Sequence, residues 1–384
     1  MTAPAPSRWP ATSLPYGDEH SLLRETAQRF FATECAPHRE AWDKAGMAPR
    51  SIWRKAGELG LLCSRVPEEY GGPGGDMLHS IVLLEEQTKA GVVGPMLSLH
   101  SDVVAPYILN YGSEAQKSRI LPRMASGEWI GAVAMSEPGG GSDLRAMITR
   151  ATRRGDSYIL RGAKTFISNG ANADIIVLAA QTESAISLFL VETGGLQGFS
   201  RGAPLDKAGQ WSADTTELFF EDAAIPASAL LGGAEGRGFA QLSERLAEER
   251  LLTGVVAVAA MEQAIADTIA YTRDRRAFGR AVLDFQNTRF RLAEARTEAI
   301  VCRTFMERCV RKFMNGKLDA VEAAMLKWWS TEKQNKIIDD CLQLHGGYGY
   351  MLEYPIARAW LDARVATVYG GANEIMKEII GRSL

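Results

Sequence analysis

The hydrophobic period of this chain changes twice, and these changes constrain its fold more than any other feature. Over residues 18–127 the apolar side chains recur every three or four positions, which predicts helices. Over residues 131–233 the apolar segments become short, with a period of two and with Gly, Asn and Asp turns between them, which predicts strands. From Gly236 onward the helical period returns in long blocks. We therefore expect helices, then a small β-domain, then a helical bundle.

The predicted class is a multidomain α+β fold. A chain of 384 residues with 46% apolar residues is long enough for two or three domains with a sizeable core. We expect an N-terminal all-α domain over residues 1–129, a middle β-barrel or β-sandwich domain over residues 130–233, and a C-terminal four-helix bundle over residues 234–384. The bundle blocks are predicted at residues 239–273, 285–313 and 318–344, with a last helix that ends near Ile380.

Composition argues against several kinds of partner. The formal net charge is −3, from 43 basic and 46 acidic side chains without long blocks of one sign, so neither nucleic acid nor an anionic membrane is expected. The first residues carry prolines and polar side chains where a signal peptide has an apolar core. The longest apolar run, residues 255–261, is too short to cross a bilayer. We expect a cytoplasmic protein.

Cysteine and histidine spacing predicts neither disulfides nor a metal. The five cysteines include no CxxC pair, and the five histidines form no HExxH motif. No strand is followed by GxGxxG and a helix, which argues against a dinucleotide bound by a Rossmann unit.

Residues 131–170 carry the most informative part of the β-domain. The sequence Ser136-Glu137-Pro138 followed by three glycines and Ser142 favours an irregular turn. Backbone N–H groups of this turn and the two serine hydroxyls could hold a polar edge or a pyrophosphate, although such a loop taken alone is more often an ordinary connection. Over residues 166–170 an aromatic face and a hydroxyl alternate along a predicted strand, so a planar ring system could lie there.

Seven segments, in order and at matching separations, resemble the acyl-CoA dehydrogenase family of flavoproteins. They are residues 68–72 (EEYGG), 134–143 (AMSEPGGGSD), 164–170 (KTFISNG), 214–226 (DTTELFFEDAAIP), 275–279 (RRAFG), 343–350 (QLHGGYGY) and 369–376 (YGGANEIM). The resemblance covers nearly the whole chain and is strongest to the long-chain and isovaleryl branch. It implies the same order of domains that the periodicity predicts, with FAD as the cofactor.

The resemblance also implies which residues bind FAD. In the β-domain, Met135, Ser136, Ser142, Phe166 and Ser168 would touch the flavin or its pyrophosphate, and Ser168 would donate a hydrogen bond near flavin N5. In the C-terminal region the implied contacts are Arg275, Phe278, Gln286, Gln343, Gly346, Gly347, Ala372, Asn373 and Glu374.

Some of these contacts would cross between subunits. Members of the family form dimers of dimers, so a homotetramer is implied here. Arg275, Phe278, Gln286 and the loop at residues 343–347 would reach the FAD of a neighbouring subunit. Arg275 would then be a charge-assisted donor to the pyrophosphate. Without the resemblance, Arg275 would be interpreted as a solvated helix end.

The implied reaction removes a proton from the carbon α to a thioester and a hydride from the β carbon, which leaves a trans-2-enoyl product. It needs a carboxylate base in a water-poor cleft. Many members carry that glutamate directly after a tyrosine, but here Tyr369 precedes Gly370 and Gly371. The long-chain and isovaleryl branch places it in a Glu-Arg-Leu sequence on the first bundle helix, which this chain has at residues 249–251. The resemblance therefore implies Glu249 as the base.

Spacing alone favours a different role for Glu249, a helical surface ion pair with Arg245 worth about 0.3–0.5 kcal/mol. The substrate contacts that the resemblance implies are Ser142, Arg250, Tyr369, Gly370 and Gly371. Arg250 would orient the C-terminal loop or the substrate rather than transfer a proton.

The leading hypothesis is an FAD-dependent acyl-CoA dehydrogenase of fatty-acid β-oxidation that passes electrons to an electron-transfer flavoprotein. Three alternatives stay open: a dehydrogenase of an acyl chain tethered to a carrier protein, an oxidase or monooxygenase on the same fold, and a non-catalytic flavoprotein. The acyl chain length is not predicted, because the acyl pocket of this chain can differ in width from those of its relatives.

Overall fold

A computed structural model describes Trp9 and residues 11–384. These residues form two compact units. The larger unit is Asp18–Leu246, and the C-terminal unit combines Ala247–Leu384 with the described residues up to Gly17. The predicted domain boundaries at residues 129 and 233 stay predictions.

The larger unit begins with six helices. They are α1 (Asp18–Phe30), α2 (Arg39–Ala45), α3 (Arg50–Glu58), α4 (Met77–Lys89), α5 (Ala105–Tyr111) and α6 (Glu114–Ala125), and π-helical turns follow α1 and precede α5. Pro49 precedes α3. A capping box begins α6, because the Ser113 N–H donates to Gln116 Oε1 at 2.8 Å and the Gln116 N–H donates to Ser113 Oγ at 3.3 Å.

A mixed sheet of seven strands follows. The strands are β1 (Gly131–Ala134), β2 (Arg150–Arg154), β3 (Ser157–Ser168), β4 (Ile175–Gln181), β5 (Ile186–Glu192), β6 (Phe199–Arg201) and β7 (Thr215–Pro226). Their order is β1-β4-β2-β3-β7-β6, and β5 pairs with β4. Tyr158 and Phe189 meet edge to face in the sheet's core, with ring centroids 4.8 Å apart. The middle domain is therefore a β-domain, as predicted.

The C-terminal unit is helical. Helix α7 (Gly238–Asp274) begins in the larger unit and belongs to the C-terminal unit from Ala247 onward. It is followed by a short hairpin of β8 (Arg276–Ala277) and β9 (Arg280–Ala281), then by α8 (Gln286–Met314), α9 (Ala320–His345), α10 (Pro355–Ala363) and α11 (Asn373–Gly381). Helix α7 approaches α9 closely at Gly254, where an added Cβ would lie 2.7 Å from Leu326 Cγ. The predicted bundle helices are confirmed, and α10 was not predicted.

The described residues before α1 pack on α8. Thr12 Oγ1 donates to Glu307 Oε1 at 2.8 Å, and the Ser13 N–H donates to Glu307 Oε2 at 3.0 Å. The Arg296 guanidinium lies over the Trp9 ring at 5.5 Å. These contacts explain why this segment belongs to the C-terminal unit.

Two sequence expectations about the environment of the chain can be compared with the structure. All five cysteines are free and buried, as predicted. By length and composition α7 is long and apolar enough to cross a membrane, although most of its apolar window is buried within the protein. Core helices have the same property, so this feature alone does not indicate a membrane segment.

Candidate functional site

The two β-domain stretches singled out in the sequence lie side by side. The Thr165 N–H donates to the Ser136 carbonyl at 3.0 Å. Lys164 Nζ donates to the Met135 carbonyl at 3.0 Å. The glycine-rich turn after β1 is therefore attached to the end of β3, so that the predicted flavin contacts Met135, Ser136 and Phe166 occupy one region.

A buried ion pair holds this turn. Lys164 Nζ lies 2.8 Å from Glu137 Oε1, and the two side chains are 0% and 4% exposed. Glu137 also accepts the N–H groups of Ile148 at 2.6 Å and Thr149 at 2.9 Å. Burial alone would raise the pKa of Glu137, but the hydrogen bonds from Ile148, Lys164 and Thr149 outweigh it and lower this pKa to about 2. The Glu137 carboxylate thus connects the two ends of the loop at residues 137–149.

The glycines at the tip of the turn border open space. Glu137 and Gly140 exchange two backbone hydrogen bonds of 3.0 Å each, which makes the turn tight. A Cβ on Gly139 or Gly141 would meet nothing within 4 Å, and none of the three glycines has a positive φ. Neither packing nor backbone strain requires glycine here. The missing side chains let a ligand approach the backbone of Gly139 and Gly141 closely, whereas the Gly140 N–H is used within the turn.

Phe166 is strained and exposed. Its φ is +59°, in the left-handed region that a bulky residue rarely adopts, and the β3–β7 register shifts between Lys164 and Ile167. Its side chain is 71% exposed. Ser168, two residues further along the strand, is half-buried. Backbone strain of this kind is found at ligand sites, and here it presents an aromatic face beside a hydroxyl.

In the C-terminal unit, Glu249 is followed by a buried arginine. Glu249 is half-buried on α7, and its carbonyl accepts Thr253 Oγ1 at 3.0 Å. Arg250 is 6% exposed, and its Nε is buried with no hydrogen-bond partner among the described residues. Burial lowers the pKa of Arg250, whereas the charge of Glu249 raises it. An unpaired buried guanidinium donor is costly, so the position suits an acceptor supplied by a ligand.

The loop after α10 lies against the same turn of α7. A Cβ on Gly370 would lie 3.4 Å from Thr253 Oγ1, and one on Gly371 would lie 3.9 Å from Arg250 Nη2. The φ angles of Gly370 and Gly371 are +65° and +93°, a conformation that favours glycine. The predicted residues Arg250, Gly370 and Gly371 are therefore brought together on the turn that carries Glu249.

A fully buried lysine fixes this loop. Lys327 Nζ on α9 donates to the Gly371 carbonyl at 2.7 Å and to Asn373 Oδ1 at 2.8 Å. Burial and the charge of Arg250 lower the pKa of Lys327 to about 8. Asn373 Nδ2 donates to Thr331 Oγ1 at 3.1 Å. The Asn373 side chain, a predicted cofactor contact, is therefore used in bonds within the C-terminal unit.

The remaining predicted residues lie on the surface of the C-terminal unit. Arg275 lies over the Tyr348 ring at 5.4 Å, which brings it to the turn that contains Gly346 and Gly347. Gln343, predicted in this loop, lies in the last turn of α9 instead. Phe278, at the tip of the β8–β9 hairpin, is 96% exposed with φ +51°. Gln286 is the first residue of α8, and Tyr369, Ala372 and Glu374 flank the glycine loop.

Comparison with known proteins identifies the family. Models of the acyl-CoA dehydrogenase N-terminal, middle and C-terminal domains match residues 17–128, 132–223 and 236–384. The chain belongs to the acyl-CoA dehydrogenase family. It is 46% identical over 376 residues to the mitochondrial long-chain specific acyl-CoA dehydrogenase of Rattus norvegicus, which covers 96% of this chain and 87% of that protein. The family and fold predicted from the sequence are confirmed.

Solved structures agree. The acyl-CoA dehydrogenase from Geobacillus kaustophilus has 45% identity and a TM-score of 0.95, covering 97% of this chain and 99% of that one. A chain in the structure described as the electron transferring flavoprotein of Acidaminococcus fermentans has 34% identity and a TM-score of 0.91, covering 97% of this chain and 99% of that one. This acyl-CoA dehydrogenase is an FAD-dependent oxidoreductase.

The residues of this acyl-CoA dehydrogenase fit FAD. The backbone at Gly139 and Gly141 is open to a pyrophosphate, and the exposed ring of Phe166 offers a face to a planar ring system. Neither feature has another function in the packing of the larger unit.

Sequence analysis missed two lysines that hold these regions in place. Lys164 lies within a strand, and Lys327 lies on the buried side of α9 with Ala323, Leu326 and Ser330. Both lysines stand at positions where the apolar periodicity of the helix or strand predicts a buried side chain. Such a lysine needs a buried acceptor, so this pattern could have identified them from the sequence.

Proposed function

We propose that Glu249 is the catalytic base of this acyl-CoA dehydrogenase. The observation that supports the proposal is the arrangement of one turn of α7 and the glycine loop. The loop carries Gly370 where many relatives have the glutamate, whereas Glu249 is half-buried beside the buried Arg250 and on the turn that the loop touches. The base is then supplied by the helix rather than by the loop.

The role of Glu249 is to remove the α-proton of the acyl thioester onto a carboxylate oxygen. When bound, FAD supplies the acceptor for the hydride of the β carbon. Partial burial weakens the hydration of the carboxylate and so strengthens it as a base. Burial lowers the pKa of the neighbouring Arg250, and the charge of Glu249 partly offsets this effect.

Arg250 positions the loop and the substrate. Its guanidinium is buried next to Gly371, and its Nε has no acceptor among the described residues. We propose that this N–H donates to the bound thioester, and that Tyr369, Gly370 and Gly371 line the substrate through backbone groups. The resemblance also implies a substrate contact from the Ser142 hydroxyl of the β-domain turn.

The resemblance implies one set of FAD-binding residues in each unit. In the larger unit they are Met135, Ser136, Ser142, Phe166 and Ser168, grouped by the turn and the end of β3. In the C-terminal unit they are Arg275, Phe278, Gln286, Gln343, Gly346, Gly347, Ala372, Asn373 and Glu374. The support for the second set is the resemblance, and the 96% exposure of Phe278 leaves its ring accessible to a ligand.

The assembly, the electron acceptor and the pathway are also proposed from the resemblance. We propose a homotetramer in which Arg275, Phe278 and Gln286 reach the FAD of a neighbouring subunit. We propose an electron-transfer flavoprotein as the acceptor and fatty-acid β-oxidation as the pathway. Five free, buried cysteines support a reducing compartment, and we propose the cytoplasm.

Anaerobic titration with acyl-CoA thioesters tests the reaction. The purified yellow protein is mixed with a panel from butyryl-CoA to palmitoyl-CoA, with isovaleryl-CoA included, and loss of the flavin absorption band is followed. Rapid bleaching by one or more of these thioesters is expected and would define the chain length. If none bleaches the protein, whereas an acyl group on a carrier protein does, the substrate is carrier-bound. If neither does, a non-catalytic flavoprotein is favoured.

A further inference from the structure

Three side chains from two helices meet in the N-terminal part of the larger unit. His20 lies in the first turn of α1, whereas Asp76 and His79 form the start of α4. His20 Nε2 lies 3.2 Å from Asp76 Oδ1, and His79 Nδ1 lies 2.8 Å from the same oxygen. One ligand-type atom from each residue lies within 4.8 Å of the others. None of the three belongs to the proposed catalytic or flavin-binding residues.

The local backbone holds these side chains in place. Asp76 is the N-cap of α4, and its Oδ1 accepts the N–H groups of Leu78 at 2.9 Å and His79 at 3.3 Å. The His79 ring folds back over Gly75, where an added Cβ would lie only 2.7 Å from its Cγ. Glycine at position 75 therefore leaves the space that the ring occupies.

The carboxylate of Glu19 lies near the Nδ1 atom of the buried His20. His20 is 4% exposed, and its Nδ1 lies 3.5 Å from Glu19 Oε1 while its Nε2 faces Asp76. Histidines that bind metals usually donate the N–H of the second ring nitrogen to a carboxylate or carbonyl, which fixes the tautomer with a lone pair on the first. Glu19 is placed to do this for His20.

His79 Nδ1 faces the Asp76 carboxylate. It lies 3.1 Å from the Asp76 backbone nitrogen and 2.8 Å from Asp76 Oδ1. A proton on this nitrogen would be shared with the carboxylate, and a zinc ion bound here would take the place of that proton.

We propose that His20, Asp76 and His79 bind a zinc ion that joins the start of α1 to the start of α4. Two imidazoles and one carboxylate are a common donor set for Zn²⁺, with water in the fourth position. Zn–N and Zn–O bonds of about 2.0–2.1 Å place tetrahedral ligand atoms about 3.3 Å apart. The 3.2 Å between His20 Nε2 and Asp76 Oδ1 is close to this value. The 2.8 Å between His79 Nδ1 and Asp76 Oδ1 is shorter, and a small outward rotation of the His79 ring lengthens it. Asp76 and His79 are partly exposed, which gives the ion and its water an entry path.

Sequence spacing could not predict this site. His20 and Asp76 are far apart in the chain, and the expectation that no metal binds rested on the lack of a local histidine motif. Packing of α1 on α4 brings them together.

Zinc titration of the complete FAD-loaded protein tests the proposal. The protein, free of any histidine tag, is treated with a chelator and dialysed, and ZnCl₂ binding is measured by calorimetry. Thermal unfolding is followed by circular dichroism. We expect one zinc per chain and a rise in Tm of about 3 °C or more at saturating zinc, because zinc binds the folded state. Co²⁺ in place of Zn²⁺ should give a visible absorption band.

Two variants remove ligands without removing the cap of α4. Asp76→Asn keeps a good N-cap, and His79→Gln keeps a residue type that completes a capping box. Each should bind zinc at least tenfold more weakly and lose the rise in Tm. The control is His38→Gln, which removes an exposed histidine outside the cluster and should bind zinc like the unmodified protein. Zinc binding that is absent, or equally strong in both ligand variants, would overturn the proposal.

Discussion

Replacing Lys164 by methionine tests how the β-domain turn is held. Methionine has a similar length but no charge, so packing is largely kept while the ion pair with Glu137 is lost. Glu137 would retain the N–H donors of Ile148 and Thr149 but would remain a buried charge without the cation that now lies 2.8 Å away. The turn at residues 135–149, which carries predicted flavin contacts, would lose one of its attachments to β3.

The magnitude follows from burial. Both side chains are almost completely buried, at 0% and 4% exposure, so solvent does not screen the pair. Removing one partner of such a pair costs about 3–5 kcal/mol of unfolding free energy, because the other charge stays buried and uncompensated. Removing both charges, in Glu137→Gln/Lys164→Met, should cost less than Lys164→Met alone. The coupling between the two positions is expected to be about 1–3 kcal/mol.

Urea unfolding followed by circular dichroism measures the loss, and the ratio of flavin to protein after desalting measures the effect on the turn. Lys164→Met should be less stable and should retain less FAD than the unmodified protein. The control is Lys44→Met, which removes an exposed lysine and should change neither quantity. If Lys164→Met is as stable as the control and keeps its FAD, the ion pair does not hold the turn. If it does not fold, the double variant provides the comparison.

Three further results are expected. The pKa of Glu137 is about 2, below its ordinary 4.5, so ionised Glu137 stabilises the protein fully above pH 4.5 and loses this effect as the pH falls from 4.5 toward 2. Over that pH range Tm should therefore fall more steeply in the unmodified protein than in Glu137→Gln. Lys327→Met should lower kcat/KM for the best acyl-CoA at least tenfold by freeing the glycine loop, whereas Lys336→Met, an exposed lysine on the same helix, should not. Phe278→Ala should release FAD faster on dialysis with an unchanged far-UV spectrum, because its ring is 96% exposed and its contact with Phe285 is edge to face, with 6.2 Å between ring centroids.

Local sequence patterns predicted most of the fold. The cap at Ser113 and the long bundle helices were predictable because they depend on residues three or four positions apart. Strand β2 could not be predicted individually, because its sequence, Arg-Ala-Thr-Arg-Arg, has one buried apolar side chain and no hydrophobic alternation. Helix α10 was missed because its nine residues are a short segment between loops.

The candidate site was predictable only in part. The turn at residues 136–142 and Phe166 could be chosen from composition, but their contact through Thr165 and Ser136 depends on the folded sheet. The roles of Lys164 and Lys327 depend on buried acceptors contributed by distant segments. Periodicity describes which face of an element is buried, and it does not tell which polar groups that face meets.

The rate of flavin reduction in Glu249→Gln tests the central claim most directly. The variant and the unmodified protein are mixed anaerobically with the best acyl-CoA in a stopped-flow instrument, after equilibrium binding of substrate and FAD has been measured for each. Glu244→Gln is the control, since Glu244 is an exposed carboxylate of the same helix that accepts the Tyr111 hydroxyl at 2.6 Å.

Glu249→Gln should bind FAD and substrate as before but reduce the flavin about three orders of magnitude more slowly, because glutamine cannot accept the α-proton. Glu244→Gln should react at the unmodified rate. A Glu249→Gln protein that reduces its flavin within a few-fold of the unmodified rate would contradict the assignment of Glu249 as the base.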